Sequence, residues 1–234
     1  MKTTLLFIYL VSCSSILLAQ DTVDRKQAVY YPYPGESWRS SIGLSFTTFP
    51  YDITEEQHFR APALDYHFIK KVTPNFYFDG RITTQILQSF VQLGPRFGIK
   101  LSKRVAVSIG DDAAYWFGNI KFGGLDTKGH GWQNFPNASI GVKFPKNVRV
   151  TFKAEQALTL SVTTRTGEIP VTSKYKTNSG SAYTLVFEQP FYGKKSLTLG
   201  MRAIYSSFFW QTWSLFSTFD RNIFYPQVIV GLIL

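Results

Sequence analysis

Few side chains in this sequence are spaced for acid–base or nucleophilic chemistry. The three histidines are His58, His67 and His130, and His67 shares one face of a predicted strand with Asp65, two residues away. An Asp–His pair can exchange protons. Catalysis also requires a nucleophile or a second acidic cluster beside that pair, and the sequence shows neither. We therefore expect Asp65 and His67 to form a hydrogen-bonded pair inside the protein, and we predict that the chain is not an enzyme.

The patterns for metal and phosphate binding are equally weak. There are no paired histidines at ligand spacing, and the single cysteine, Cys13, lies in an N-terminal apolar stretch. Asp111 and Asp112 could contribute to a calcium site, but two adjacent carboxylates are weak evidence for one. The glycines between 123 and 131 are not followed by the strand-to-helix pattern of a phosphate loop. The sequence predicts no metal, no cofactor and no identified small-molecule substrate.

The strongest pattern is a long alternation between Val91 and Phe117. Two runs joined by the turn Ser102–Arg104 place apolar residues at odd positions and small or charged residues at even positions. A period of two predicts β-strands. The runs match the roughly 9–11 residues that cross a bilayer rather than the roughly 5–6 of a soluble strand. One apolar face opposite a small, charged face predicts a hairpin of a transmembrane barrel.

Alternating segments of this kind recur ten times, so we predict an all-β fold, a transmembrane antiparallel up-and-down β-barrel of about ten strands. Four predicted turns on one side are short and basic, whereas four of the five connections on the other side are long and polar, including Gly118–Asn134 and Thr163–Gly180. This asymmetry is typical of outer-membrane barrels. We also expect the last strand to pair with the first, because a membrane barrel has no free edge. The predicted strands are 38–49, 63–69, 76–83, 91–101, 105–117, 137–144, 148–162, 182–188, 197–206 and 228–234.

The N-terminal region divides into two predicted segments before the barrel at 38–234. Residues 1–20 have the charged start and short apolar core of a signal peptide. An alternative is that Leu10–Cys13 is a lipobox whose cysteine is lipidated. Residues 21–37 are polar and rich in tyrosine, and we expect a lead-in without regular structure.

The main alternative fold is a soluble barrel whose apolar face points inward. The long strands, the aromatic residues near predicted strand ends such as Tyr115–Phe117, and the glycines on the charged face favour the membrane barrel. The formal charge of +10 is scattered along the chain, without a basic helix or an RNA-binding signature. We therefore expect outer-membrane lipid, and potentially other envelope proteins, as partners, and no nucleic acid.

Several short motifs resemble those of a known group of proteins. They are Gly94–Gly98 (GPRFG), Tyr115–Gly118 (YWFG), the predicted signal end Leu17–Gln20 and the terminal apolar strand. Together they make the chain similar to the small outer-membrane β-barrel proteins of Bacteroidota, the OmpA/OmpW-like "porin family". The resemblance implies the barrel fold and the outer-membrane location, and says little about chemistry.

The face predicted to line the lumen carries charges of both signs. Opposite charges in a narrow lumen tend to pair and block it, whereas wide aqueous channels occur in barrels of about 16 strands. We therefore predict a largely plugged lumen and a structural or interaction role in the cell envelope. The alternative is a small porin that passes ions or small solutes. The predicted lumen charge network comprises Asp65, His67, Asp79, Arg81, Arg96, Lys100, Lys153, Glu155 and Arg202, with Asp112, Arg149 and Glu188 on the same face.

Asp79, Arg96 and Asp111 lead to more specific predictions. If residues whose numbers sum to about 175 lie opposite each other across the third and fourth strands, Asp79 and Arg96 form a cross-strand ion pair. Asp111 falls on the apolar face, where a charge is costly in a bilayer. Either a bulge at Gly110–Asp112 turns Asp111 away, or Asp111 lies near the membrane interface.

Overall fold

The computed structural model describes residues 28–33, 35, 37–54, 59–122, 125–171, 174–192, 195–215 and 219–234. The predicted signal peptide, the alternative lipobox and residues 21–27 of the predicted lead-in lie outside the described residues.

The described residues form one antiparallel sheet of eleven strands, ten of which close into a barrel. Each barrel strand pairs with its neighbours in the chain, except that β7 pairs with β9 because the short β8 adds only to the end of β7. The last strand pairs with the first, as predicted, with Leu232 opposite Ile42. The strands are β1 (Trp38–Thr48), β2 (Arg60–Lys71), β3 (Phe76–Gln85), β4 (Gln88–Lys100), β5 (Val105–Phe122), β6 (Leu125–Lys143), β7 (Arg149–Thr166), β8 (Ile169–Val171), β9 (Asn178–Pro190), β10 (Ser196–Ser206) and β11 (Ile223–Ile233).

The helical segments are short. A single-turn helix, α1, spans Tyr51–Thr54, and 3-10 turns span Pro145–Asn147 and Trp210–Leu215. No helix in the described ranges is long and apolar enough to cross a membrane.

The two faces of the barrel have the polarity of a membrane protein. Outward side chains are apolar and exposed, for example Ile42 at 50%, Leu64 at 57% and Ile109 at 64% of their surface. Inward positions hold charged groups, and Asp112 is fully buried. A soluble barrel would have the opposite arrangement, because water would then contact the outer face. The chain is a ten-stranded outer-membrane β-barrel, and the outer-membrane location predicted from the sequence is confirmed.

One predicted loop is mostly strand, and a second is strand in part. β5 and β6 continue through most of Gly118–Asn134 and pair as far as Phe122 opposite Leu125. In the segment Thr163–Gly180, β7 continues to Thr166 and the chain returns as β8. The first prediction was wrong because glycine was taken as a loop signal, whereas Gly118 and Gly129 lie in strands beside a tryptophan ring that leaves no space for a side chain.

Of the two alternatives for Asp111, the bulge at Gly110–Asp112 is not the one that forms. The pairing of β4 with β5 keeps one register from Leu93 opposite Ala113 to Arg96 opposite Gly110. Asp111 therefore keeps the outward direction of its parity and is exposed on the lipid-facing surface.

Candidate functional site: a lumen closed at both ends

A fully buried carboxylate, Asp112, lies at the centre of the polar groups in the lumen. Its Oδ2 atom accepts hydrogen bonds from Gln92 Nε2 (3.0 Å), Arg96 Nη2 (2.8 Å) and Asn137 Nδ2 (3.1 Å). Lys153 Nζ lies 3.3 Å from the same oxygen. These donors come from β4, β6 and β7, so one carboxylate on β5 joins three other strands across the lumen. Charge-assisted bonds of this kind are among the stronger hydrogen bonds in proteins.

The network continues toward β2 and β3. Arg96 Nη2 lies 3.4 Å from Asp79 Oδ1, and the same oxygen lies 3.1 Å from His67 Nε2. Asp65 instead pairs with Arg81, whose Nε donates to both carboxylate oxygens at 3.0 Å. The expected Asp65–His67 pair is therefore replaced by two pairs that each cross between strands, because an arginine takes the Asp65 carboxylate.

The Asp79–Arg96 pair forms in a register different from the predicted one. Asp79 lies opposite Gly94, and Arg96 lies opposite Tyr77, so paired numbers sum to 173 rather than 175. The two charged side chains are diagonal neighbours on one face, and the long arginine side chain spans the offset.

The network also continues toward β10. Glu155 Oε1 lies 2.7 Å from Lys153 Nζ, and Glu155 Oε2 accepts a hydrogen bond of 2.8 Å from Arg202. Lys100 lies apart from these groups, at the end of β4, where its Nζ is 4.5 Å from the centre of the Tyr33 ring. Four cationic groups thus meet four carboxylates in the middle of the barrel, and this balance favours a closed arrangement.

Little free space remains around the network. The cavity has a volume of about 20 Å³, which is enough for about one water molecule. It is lined by Tyr30, His67, Asp79, Arg81, Gln92, Arg96, Thr151, Lys153, Glu155, Thr184 and Val186. A single-water cavity is far narrower than an aqueous channel.

The N-terminal segment 28–33, which we call the N-terminal plug, enters the lumen at the end with the short turns. Glu188 on β9 holds it through the backbone: Oε1 accepts from the N–H groups of Val29 (2.6 Å) and Tyr30 (2.9 Å), and Oε2 accepts from Tyr31 (3.1 Å). One buried carboxylate therefore satisfies three consecutive backbone donors. The segment has neither helix nor strand, so these donors have no partners within a helix or sheet.

The side chains of the N-terminal plug contact the lumen wall on several sides. The Tyr30 ring meets the His67 ring edge-on with centroids 4.4 Å apart, and Tyr77 donates its hydroxyl to the Pro32 carbonyl at 3.0 Å. Burial raises the pKa of the Tyr30 phenol, so this ring stays neutral. At Gly98 an added Cβ would lie 2.2 Å from the Pro32 oxygen, and glycine is therefore what allows the plug to lie against β4.

The opposite end of the lumen is filled by residues 208–214, which we call the aromatic plug. Trp213 is 1% exposed and packs against Trp116, with ring centroids 6.1 Å apart. Trp210 stacks on Phe90 at 5.4 Å. The plug belongs to a hydrophobic cluster that reaches eight barrel strands and the β1–β2 connection. It closes its end of the lumen by burying apolar surface, which is the main stabilising term in protein interiors.

An apolar groove of about 840 Å³ lies beside the aromatic plug. Its walls come from the β1–β2 connection, the β3–β4 turn and the end of β5. The lining residues are Leu44, Phe49, Ile53, Thr54, Phe59, Ala61, Pro62, Ala63, Leu64, Thr84, Gln85, Ile86, Leu87, Gln88, Ile120, Gln211 and Ser214. The groove is separate from the central cavity and shares none of its lining residues.

The described residues offer no group of three or more His, Cys, Asp or Glu side chains that could hold a metal ion. Asp111 and Asp112 point to opposite faces of β5 and cannot share a calcium ion. Most residues of the charge network were predicted from the sequence, because they occupy the inward-facing positions of the alternating pattern. It missed both plugs, although the tyrosines at 30–33 and the run from Phe208 to Trp213 are a compositional signal for buried aromatic segments.

No protein-family model matches the sequence, and no curated protein is recognisably similar. Several solved structures are similar in fold to this chain. One is an outer membrane channel from Pseudomonas putida F1, with a TM-score of 0.48, 5% identity and coverage of 92% of this chain and 100% of that chain. The translocator domain of the autotransporter NalP from Neisseria meningitidis has a TM-score of 0.47, 10% identity and coverage of 99% and 95%. The Ralstonia pickettii toluene transporter TbuX has a TM-score of 0.41, 11% identity and coverage of 86% and 75%. At these values we draw no conclusion about function from the similarity.

Proposed function

We propose that this protein is a non-conducting outer-membrane β-barrel that acts as a structural or interaction component of the cell envelope. The observation that carries the proposal is the closure of the lumen in three successive layers. The N-terminal plug fills one end, the charge network centred on Asp112 fills the middle, and the aromatic plug fills the other end. A passing ion would have to displace all three layers.

The energetics of the middle layer support this proposal. Removing one partner of a buried ion pair strands the other charge and costs about 3–5 kcal/mol, so the network resists opening. Residual water in the lumen would lower that figure. No enzymatic role is proposed, because the buried carboxylates and His67 are engaged with one another rather than directed toward an open site.

The proposal is tested by conductance in planar bilayers. We expect the wild type to be nearly silent. Asp79→Ala removes a carboxylate between His67 and Arg96, so it should lower the unfolding temperature and add at most a small conductance. Asp52→Ala changes an exposed carboxylate in α1 that pairs only with the exposed Arg221 among the ion pairs of the described residues, and it serves as the control. A steady wild-type conductance that Asp79→Ala leaves unchanged would overturn the closed-lumen proposal.

A small porin with a removable plug is the second candidate. The observation that favours it is that the N-terminal plug takes no part in strand pairing, so it could leave without breaking the barrel. Deleting residues 21–33 separates the two candidates. A large, steady conductance in the deletion variant supports the porin, whereas near-silence supports closure by the other two layers.

The family, the segment boundaries and the partners of the chain are also proposals. We place it among the small Bacteroidota-type barrels, on the support of the motifs Gly94–Gly98 and Tyr115–Gly118. We divide it into a signal peptide at 1–20, a lead-in at 21–37 and the barrel at 38–234. Its partners would be outer-membrane lipid and other envelope proteins. N-terminal sequencing of the protein purified from membranes tests the first boundary.

A further inference from the structure

The lipid-facing surface of the barrel has a polar region on β5 and β6. Asp111 is exposed on the outer face of β5, and Asn134 on β6 donates a hydrogen bond from Nδ2 to Asp111 Oδ1 at 2.8 Å. Along β5, Asp111 lies between Ile109 and Phe117, which are both exposed and apolar. The carboxylate therefore lies within the apolar band of the barrel rather than at its edge, where contact with hydrocarbon is unfavourable.

Several residues near Asp111 on the outer face are small or polar, although Leu93 and Ile109 nearby are large, apolar and exposed. Ala113 and Ala138 are exposed, and Gln156 on β7 donates hydrogen bonds to Asn178 Oδ1 and to the Gly180 carbonyl. The opposite wall, formed by β1 and β11, presents large apolar side chains at the corresponding outward positions, including Ile42 and Val230. The small side chains beside Asp111 allow a second backbone to approach this part of the surface.

We propose that this surface, formed by Asp111, Ala113, Asn134 and Ala138, is the contact through which two copies of the chain pair within the membrane. Two copies inserted in the same orientation can be related by a two-fold axis along the membrane normal. An axis beside β6 places Asn134 of each copy close to the other copy.

Hydrogen-bonding capacity identifies a second copy as the occupant. A carboxamide has two N–H donors and a carboxylate has about four acceptor positions. Asn134 gives one donor to Asp111 of its own chain, and its other donor can reach Asp111 of the second copy. The symmetric arrangement separates the two negative charges by two amides, so the surface is complementary to itself. A lipid acyl chain offers no donor to the carboxylate.

The test is cysteine cross-linking in native membranes. Ala138→Cys lies beside the proposed axis, and Val230→Cys on the opposite wall is the matched control. We expect Ala138→Cys to give a covalent species of twice the chain mass, and Val230→Cys to give little. Equal cross-linking of both variants would indicate random collision and overturn the proposal. An adduct with the mass of another protein, or the absence of any adduct, would also overturn it.

A second pair of variants tests the hydrogen bonds themselves. Adding Asp111→Leu to Ala138→Cys should reduce the cross-linked fraction by about tenfold, since hydrogen bonds between membrane segments contribute about 1–2 kcal/mol in model peptides. Adding Ala113→Leu should reduce it by steric separation. Heat-dependent gel mobility verifies that each variant folds. If Asp111→Leu folds and leaves the cross-linking unchanged, Asp111 does not hold two copies together.

Discussion

The two ends of the lumen are closed by different physical means. At the turn end, the N-terminal plug is held by directional contacts, and three of its backbone N–H groups depend on the carboxylate of Glu188. At the other end, the aromatic plug is held by burial of large rings, with Trp213 at its centre. One substitution at Glu188 removes three backbone hydrogen bonds of the N-terminal plug, whereas the aromatic plug loses stability in proportion to the apolar surface that is removed.

The largest expected effect is at the aromatic end. Trp213→Ala removes a ring that is 1% exposed, and truncating a buried tryptophan costs about 3–5 kcal/mol. We expect a corresponding loss in the free energy of unfolding, measured by urea titration in detergent. Trp132→Ala is the control, because Trp132 faces lipid and is 50% exposed. Equal losses in the two variants would show that the aromatic plug is not packed as described.

The second prediction concerns the turn end. Glu188→Ala removes the acceptor for three backbone donors, and hydrogen bonds to a charged group contribute about 1.5–3 kcal/mol each. Because the plug can leave and its N–H groups can bind water, we expect a smaller loss of barrel stability than for Trp213→Ala. Limited proteolysis should now cleave within the N-terminal segment.

Glu188→Gln provides the control for this change. It keeps one acceptor oxygen for the plug and should be cleaved more slowly than Glu188→Ala. If the alanine variant resists protease as well as the wild type does, other contacts hold the N-terminal plug.

The smallest effect comes from a single added methyl group. In Gly98→Ala the new Cβ would lie 2.2 Å from the Pro32 carbonyl oxygen, whereas in Gly200→Ala the nearest atom would be a flexible valine methyl at 3.2 Å. Overpacking costs about 1–3 kcal/mol, and the N-terminal plug is the element that can move. We expect increased proteolysis of the plug in Gly98→Ala. An equal increase in proteolysis for Gly200→Ala would show that the effect does not come from contact between residue 98 and the N-terminal plug.

The fold was largely predictable from alternation, because a closed membrane barrel repeats one simple rule along every strand. The closure of β11 on β1 follows from the absence of a free edge in a membrane barrel. The inward direction of Asp79, Arg96 and Glu155 follows from parity. The ends of β5 and β6 did not follow, since Gly118 and Gly129 were taken as loop residues. Their actual role is to leave space for Trp213, which is almost a hundred residues away in the sequence.

The sequence predicted which side chains belong to the charge network better than it predicted which of them pair with each other. Parity places Asp65 and His67 on one face, but the partner of each depends on the register between strands. A shift of two in the sum of paired numbers moved Asp79 from opposite Arg96 to a diagonal position. The N-terminal plug has no periodic pattern, and its tyrosines at 30–33 indicate burial without showing that the segment enters the lumen.

The central claim is that the middle of the lumen is inaccessible to solutes. The most direct test is the reactivity of Thr151→Cys, at a position that lines the central cavity and is buried, with a charged, membrane-impermeant thiol reagent added to both sides. Ser102→Cys in the exposed β4–β5 turn is the control. We predict that Thr151→Cys reacts at least about a hundredfold more slowly than Ser102→Cys while the barrel is folded, and equally fast after unfolding. Similar rates in the folded barrel would contradict the closed lumen.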